Sequence, residues 1–247
     1  MKKYKLIFGS LLAIALFYGC SDTKEGLYDP KAISTIDKLS ETIGKLKSCS
    51  YSLSTDITYS ASSGKPALHK DSDVYMKGPS KMYIYTKEPG SRKGYYYNGS
   101  ELALFRFDNN TYETAKAPDN TIATITAVHD KYGVDFPAAD FFYPTLTDDL
   151  IHDFDTIVAT KSTKIGGVDC QEINAVNAKA NVFISIEKAT NLPKKLEIYY
   201  LGKEKGKSYT ITFIDFKTNP VLEDKLFNFI PPATAVKTEL LTKKLED

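Results

Sequence analysis

Apolar residues change their spacing at Tyr51, and that change decides the fold class. Before it, Ile33, Ile36, Leu39, Ile43 and Leu46 recur every three or four positions, the stripe of an amphipathic helix. Asp29 and Pro30 stand ahead of the stripe as an N-cap and a first-turn proline, and the helix is expected to end near Lys47. After the change, Tyr51, Leu53, Thr55, Ile57 and Tyr59 alternate with Ser52, Ser54, Asp56 and Thr58. A period of two sends the two sets to opposite faces of a strand. Further strands are expected at 74–77, 82–86, 95–97, 102–107 and 111–114, with turns at Gly78-Pro79, Pro89-Gly90, Asn98-Gly99 and Asp108-Asn109-Asn110. Asn98-Gly99 supplies the positive backbone angles of a tight hairpin. From Pro118 to Tyr132 the period returns to helical spacing at Ile122, Ile125 and Val128, with Gly133 as the stop. Residues 137–143 and 146–154 read as short helical pieces. Strands resume at 156–161, 168–176, 180–187, 194–201 and 208–216, and 227–232 is a last extended piece. The expected fold is mainly β with helices (α+β). A large antiparallel sheet of this size curls, and helices with apolar stripes cover its open face.

The amino terminus follows different rules. Lys2, Lys3 and Lys5 are followed by an apolar run of twelve residues, Leu6 to Phe17. A membrane-spanning helix needs about 20 such residues, whereas the core of a secretory signal needs about 7–15. Gly19-Cys20, closing this run, resembles the lipobox of bacterial lipoproteins, with Phe17 and Tyr18 departing from its usual Leu and small residue. The resemblance implies a signal peptide over 1–19, cleavage before Cys20 and a diacylglycerol on the Cys20 sulfur. Residues 20–28 are then the lipidated Cys and its tether, and 29–247 a single domain. At about 0.8 kcal/mol per buried methylene, two or more acyl chains anchor a protein stably. The expected location is the cell envelope: the periplasm, anchored by lipid to the outer membrane.

Loss of residues 1–19 removes three of the 32 basic residues and none of the 31 acidic ones, leaving 29 against 31. That balance argues against a nucleic-acid partner and against electrostatic docking on anionic lipid. Two cysteines follow Cys20. Cys49 and Cys170 either form a disulfide, which an extracytoplasmic location permits, or stay separate as buried thiols; their spacing does not decide between these.

Catalytic motifs are missing. His69, His129 and His152 do not share a helix face, and no His-Glu-x-x-His occurs. No Gly-x-Ser-x-Gly elbow, Gly-x-Gly-x-x-Gly turn or P-loop occurs either. Asp71 with Asp73, and Asp148 with Asp149, lack the further ligands of a calcium loop, and the second pair suits the first turn of a helix. Asp140 reads as a cap or a backbone hydrogen-bond partner. No catalytic residue, metal or cofactor is therefore expected. The aromatic residues are the better site candidates. Tyr83 and Tyr85, Tyr95 and Tyr97, and Phe105 and Phe107 each lie two apart, so each pair shares a sheet face. Together with Ile122, Ile125, Phe141 and Phe142 they either line an apolar ligand cavity or fill a core.

Several stretches, in order, resemble the DUF2092 family of bacterial periplasmic proteins and lipoproteins. They are Tyr96-Tyr97-Asn98-Gly99, Tyr112 to Ala117, Tyr132 to Tyr143, Gly167-Val168-Asp169-Cys170, Leu192 to Leu196, and Phe227 to Pro232. Gln171-Glu172 stand where some members carry His, and Phe216 or a neighbour stands where Trp is common. The resemblance implies a fold similar to the lipoprotein carriers LolA and LolB, an incomplete barrel around helices with an apolar cavity between, and it brings no catalytic residues. The expectation is a membrane-anchored, non-enzymatic carrier or sensor for a lipid or other apolar ligand. The alternative is a structural lipoprotein with a filled core that meets a protein partner.

Overall fold

The computed structural model describes residues 27–134, 136 and 138–239. In chain order they form β1 (Leu27–Tyr28), α1 (Pro30–Gly44), β2 (Ser48–Thr58), β3 (Leu68–Lys77), β4 (Lys81–Glu88), β5 (Ser91–Tyr97), β6 (Glu101–Arg106) and β7 (Thr111–Lys116). There follow α2 (Thr121–Tyr132), α3 (Leu146–Asp153), β8 (Thr156–Ile165), β9 (Val168–Val176), β10 (Ala180–Glu187), β11 (Pro193–Tyr200), β12 (Ser208–Thr218) and β13 (Val236–Lys237). Short 3-10 turns occupy Ala139–Phe142 and Asp224–Phe227. The fold is mainly β with helices, as the spacing of apolar residues requires. It divides into two compact units, each made of two stretches of chain. The first holds residues up to 44 with 138–208, the second 45–137 with 209 onward. The signal peptide, Cys20 and most of the tether lie outside the described residues.

In the first unit the strand order is β1-β8-β9-β10-β11. Helix α1 starts where Asp29 caps it: Lys31 N donates to Asp29 Oδ1 at 2.9 Å, and Ile33 N to the Asp29 carbonyl at 3.0 Å. The other carboxylate oxygen accepts from Ala159 N at 3.1 Å, tying the helix start to β8. The buried stripe is Ala32, Ile36, Leu39 and Ile43. It keeps Ile36, Leu39 and Ile43 of the expected one, with Ala32 inside while Ile33 and Leu46 are half-buried, and the helix stops at Gly44, before Lys47. The stripe packs on β8, on α3 and on the 3-10 turn at Ala139–Phe142. Leu146 and Leu150 of α3 and Ile157, Ile173 and Val182 of the sheet complete this core. Leu27 and Tyr28 belong to the fold, not to the tether. They pair with Thr156 and Ile157, and the Tyr28 hydroxyl donates to the Ile151 and Phe154 carbonyls at 3.0 and 3.1 Å.

In the second unit the order is β12-β2-β3-β4-β5-β6-β7-β13. Cys49, Tyr51, Leu53 and Thr55 alternate into the core along β2. The ladders from β2 to β7 are antiparallel, but β13 pairs parallel with β7, as β1 does with β8 in the first unit. These two-residue strands are too short for a period to announce, which is why the sequence predicts a wholly antiparallel sheet. The turn after β5 also differs in detail. Gly99 takes a positive φ of 104°, but Asn98 does not; its Oδ1 accepts from Ser100 N at 3.1 Å and Glu101 N at 3.0 Å. Helix α2 has clear ends. Asn120 Oδ1 accepts from Ala123 N at 2.8 Å, and Gly133, at φ 64°, donates its N–H to the His129 carbonyl at 2.8 Å. Cys49 and Cys170 are both free and buried, each in its own unit. Burial pushes the Cys49 thiol up to about 12.

Candidate functional site

The register of β4 to β7 divides the aromatic candidates between two faces. Tyr97 lies opposite Met82 and Leu102, and Tyr95 opposite Ile84 and Leu104. These six share one face. Tyr96 lies opposite Tyr83 and Ala103, and Gly94 opposite Tyr85 and Phe105, on the other. Tyr95 and Tyr97 therefore cannot line one cavity with Tyr83, Tyr85, Phe105 and Phe107, although each pair shares a face as its spacing requires.

The first face is filled. Tyr97 is wholly buried, and its hydroxyl donates to the Pro118 carbonyl at 2.6 Å, which also accepts from Thr124 Oγ1 of α2 at 3.3 Å. Ile125 is buried in α2 and Ile122 half-buried. The Tyr95 ring meets Phe136 edge-on at 5.3 Å, and burial pushes its hydroxyl up to about 12, Arg106 opposing. Arg106 donates to the buried Glu113 at the end of the same face.

The second face carries a connected row of rings. Tyr75 meets Tyr83 at 5.9 Å between centroids, Tyr83 meets Tyr96 at 4.6 Å, and Tyr85 meets Phe107 at 5.5 Å. Phe105 lies 4.7 Å from Phe107. Phe229, from the segment after β12, joins the row through Tyr96, Phe105 and Tyr112 at 5.2, 5.5 and 5.4 Å. Gly94 makes the crossing possible: a Cβ there would lie 2.9 Å from Tyr96 Cε2 and 3.3 Å from Phe107 Cε2. The segment bearing Phe229 is pinned upstream. Asp224 pairs with Lys77 at 2.7 Å and Lys81 at 2.6 Å, which brings its carboxyl down to about 2, and Phe227 is buried. Burial likewise raises the Tyr83 hydroxyl, helped by its hydrogen bond with Tyr96.

Phe141 and Phe142 sit in the first unit and have open space beside them. With Tyr143 and Pro144 they face the last turns of α1, and Thr147 and Asp148 of α3 close one side. The pocket has a volume of about 370 Å³, within the range of small-ligand clefts, about 300–1,000 Å³. Its floor is apolar and buried: Ile43, Phe141 and Tyr143. Its rim carries Asp37, Glu41 and Asp148, all exposed, with Ser40 and Gly44 between. The rim is ordered, because Thr147 Oγ1 donates to Asp37 Oδ1 at 2.7 Å and joins α3 to α1. The turn is held by Tyr143 N donating to the Asp140 carbonyl at 3.2 Å, and Asp140 itself is buried. Ile43 was legible as part of the helical stripe, but no sequence signal marks Gly44 or Tyr143 as neighbours of open volume.

The histidines lie on three elements. His69 of β3 is exposed between Asp56 Oδ1 at 2.8 Å and Asp71 Oδ1 at 3.2 Å, and the hydrogen bond to Asp56 raises its pKa most. His129 is on α2, and His152 of α3 pairs with Asp153 at 2.9 Å. Among the described residues no group of three or more His, Cys, Asp or Glu side chains could hold a metal ion. Nor is any described helix long and apolar enough to cross a membrane.

Residues 32–241 match the model of a family described as predicted periplasmic protein, DUF2092. The chain belongs to the DUF2092 family. No curated protein sequence matches it. Among solved structures, an uncharacterized conserved protein from Thermus thermophilus is similar at 10% identity and a TM-score of 0.51, over 85% of this chain and 99% of that one. This DUF2092 protein therefore shares its fold with that one. The lipoprotein LppX of Mycobacterium tuberculosis aligns at 14% identity and 0.48, over 78% and 98%. A LolA superfamily protein from Nitrosomonas europaea aligns at 13% and 0.35, over 80% and 97%.

Proposed function

We propose that this DUF2092 protein is a lipid-anchored envelope protein that binds an apolar ligand and catalyses no reaction. The anchor is Cys20, and the membrane is the outer one. The ligand site is the pocket between α1 and the Phe141–Pro144 turn. The observation that carries the reading is that pocket: open volume over a buried apolar floor, whereas Tyr97 on one face of β4–β7 is wholly buried and the half-buried rings on the other pack against one another and Phe229. Its position narrows the expectation from the sequence, in which the ten aromatic and aliphatic candidates either line one cavity or fill a core. Phe141 and Phe142 remain, and Tyr83, Tyr85, Tyr95, Tyr97, Phe105, Phe107, Ile122 and Ile125 pack in the second unit. Placing an apolar ligand there removes its surface from water at about 25 cal/mol per Å². No proton transfer or nucleophile is required.

The test is native mass spectrometry with lipid extraction on protein beginning at Ser21 and recovered from a bacterial periplasm. The expected result is a bound acyl-containing molecule that Phe142→Asp and Gly44→Phe both eliminate. Gly44 suits this purpose because a Cβ at that position meets nothing within 4 Å. A clean apo mass, with no uptake of added amphiphile, would move the reading to a filled lipoprotein that docks a protein. The anchor is checked separately: labelled palmitate should enter the full-length protein and be absent from Cys20→Ser.

A further inference from the structure

The charge around the pocket says more about its ligand than the floor does. We infer that the pocket selects amphiphiles whose polar end is cationic, an amine or quaternary ammonium, over carboxylate- or phosphate-headed ones. This rests on the pocket being a ligand site and names the class of ligand. Three of its lining side chains, Asp37, Glu41 and Asp148, are carboxylates, and none is a lysine, arginine or histidine. The geometry separates the two functions. Ile43 and Phe141 are buried in the floor and Phe142 is half-buried beside them, while the carboxylates are exposed at the mouth, where a head group remains partly hydrated. Asp37 is positioned in advance by its hydrogen bond from Thr147, so part of the ordering cost precedes binding. The amino end of α3 would by itself favour an anion. That preference is offset by the carboxylates of Asp148 and Asp149 in its first turn. An anionic head would therefore meet like charge at the mouth.

Exposed ion pairs are individually weak, about 0.2–1 kcal/mol each. Two of them, from Asp37 and Asp148, convert to a preference of roughly two- to thirtyfold, falling as salt rises. The experiment titrates protein from Ser21, which keeps every described residue, with decyltrimethylammonium, decanoate and decyl maltoside below their micelle concentrations. Isothermal calorimetry at low and high salt reads the affinities. The cation should bind best and decanoate worst. Asp37→Asn with Asp148→Asn should bring the three together, and Gly44→Phe should weaken all three. If decanoate binds as well as the cation, or the double variant leaves the order unchanged, the head-group inference fails and the apolar site stands. If none of the three binds, or Gly44→Phe changes nothing, the site itself fails.

Discussion

Two groups of aromatic residues in this chain look alike in sequence and end differently. Phe105 and Phe107 are spaced for one strand face, and Phe141 and Phe142 sit in a short helical turn, but each group is an apolar cluster with an Asp beside it. Around the first, the chain returns: Phe229 arrives from beyond β12 and touches Tyr96, Phe105 and Tyr112. Around the second, α1 ends at Gly44 and leaves about 370 Å³ open. Whether an aromatic cluster is core or site is thus decided by what chain comes back to cover it. The covering residue at β4–β7 lies far along the chain from the strands it covers, so the strands themselves cannot reveal it.

The sharpest way to break this contrast is to remove the cover. Phe227 is 1% exposed and holds the segment that carries Phe229. Phe227→Ala should destabilise the protein by about 3–5 kcal/mol in urea unfolding, the range for a buried Phe. Phe229→Ala, removing three ring contacts from a half-buried position, should cost about 1–2 kcal/mol. Phe142→Ala, at the pocket, should cost less than either. If Phe229→Ala is silent while Phe142→Ala is not, the assignment of core and site is reversed.

A second test inserts atoms. Gly94→Ala puts a Cβ against the Tyr96 and Phe107 rings, and overpacking of this kind costs about 1–3 kcal/mol. The rings are side chains and can shift, so the lower half of that range is expected, with altered ring shifts of Tyr96 and Phe107 in NMR.

The third acts through charge. Asp224 anchors the covering segment to Lys77 and Lys81, and its folded pKa is lowered from 3.8 to about 2. A depressed carboxyl contributes stability that is complete above its unfolded pKa and is lost as pH falls through the folded one. The gap in urea midpoint between the native protein and Asp224→Asn should therefore be constant from neutral pH down to about pH 4 and close towards pH 2. A gap that persists at pH 2 would mean the side chain acts through packing.

How much of this was legible follows from the range of each signal. The period of two located the strands, and Gly133 marked the end of α2, because those signals act over a few residues; the N-cap Asn120 emerges only in the structure. The two faces of β4–β7 were also latent in the sequence: odd and even residues of one strand must separate, but only the register, Tyr83 against Tyr96 and Ile84 against Tyr95, says which partners join them. β1 and β13 were missed because two residues carry no period. The pocket was half legible. Phe141 and Phe142 drew attention as apolar residues, whereas the space beside them depends on where α1 stops, and Gly44 signals that only weakly among helix residues.

Gly44 also supplies the smallest and most discriminating prediction. It is the last residue of α1, its φ is not positive, and its Cβ position is open. Gly94 occupies a strand where the same addition collides. Glycine in a helix is less favourable than alanine by about 0.5–1 kcal/mol, chiefly through the greater freedom of the unfolded chain. At a helix terminus the lower part of that range applies, so Gly44→Ala should raise stability by a few tenths of a kcal/mol, about 0.5 at most. One methyl group narrows the mouth without filling it, and amphiphile affinity should fall by less than about threefold, against near-complete loss in Gly44→Phe. Opposite signs for the two Gly→Ala changes, read by the same urea titration, are what a filled face and an open pocket require. If Gly44→Ala destabilises as Gly94→Ala does, the volume beside Phe142 is occupied in solution, and the aromatic cluster at 141–142 is core like the other.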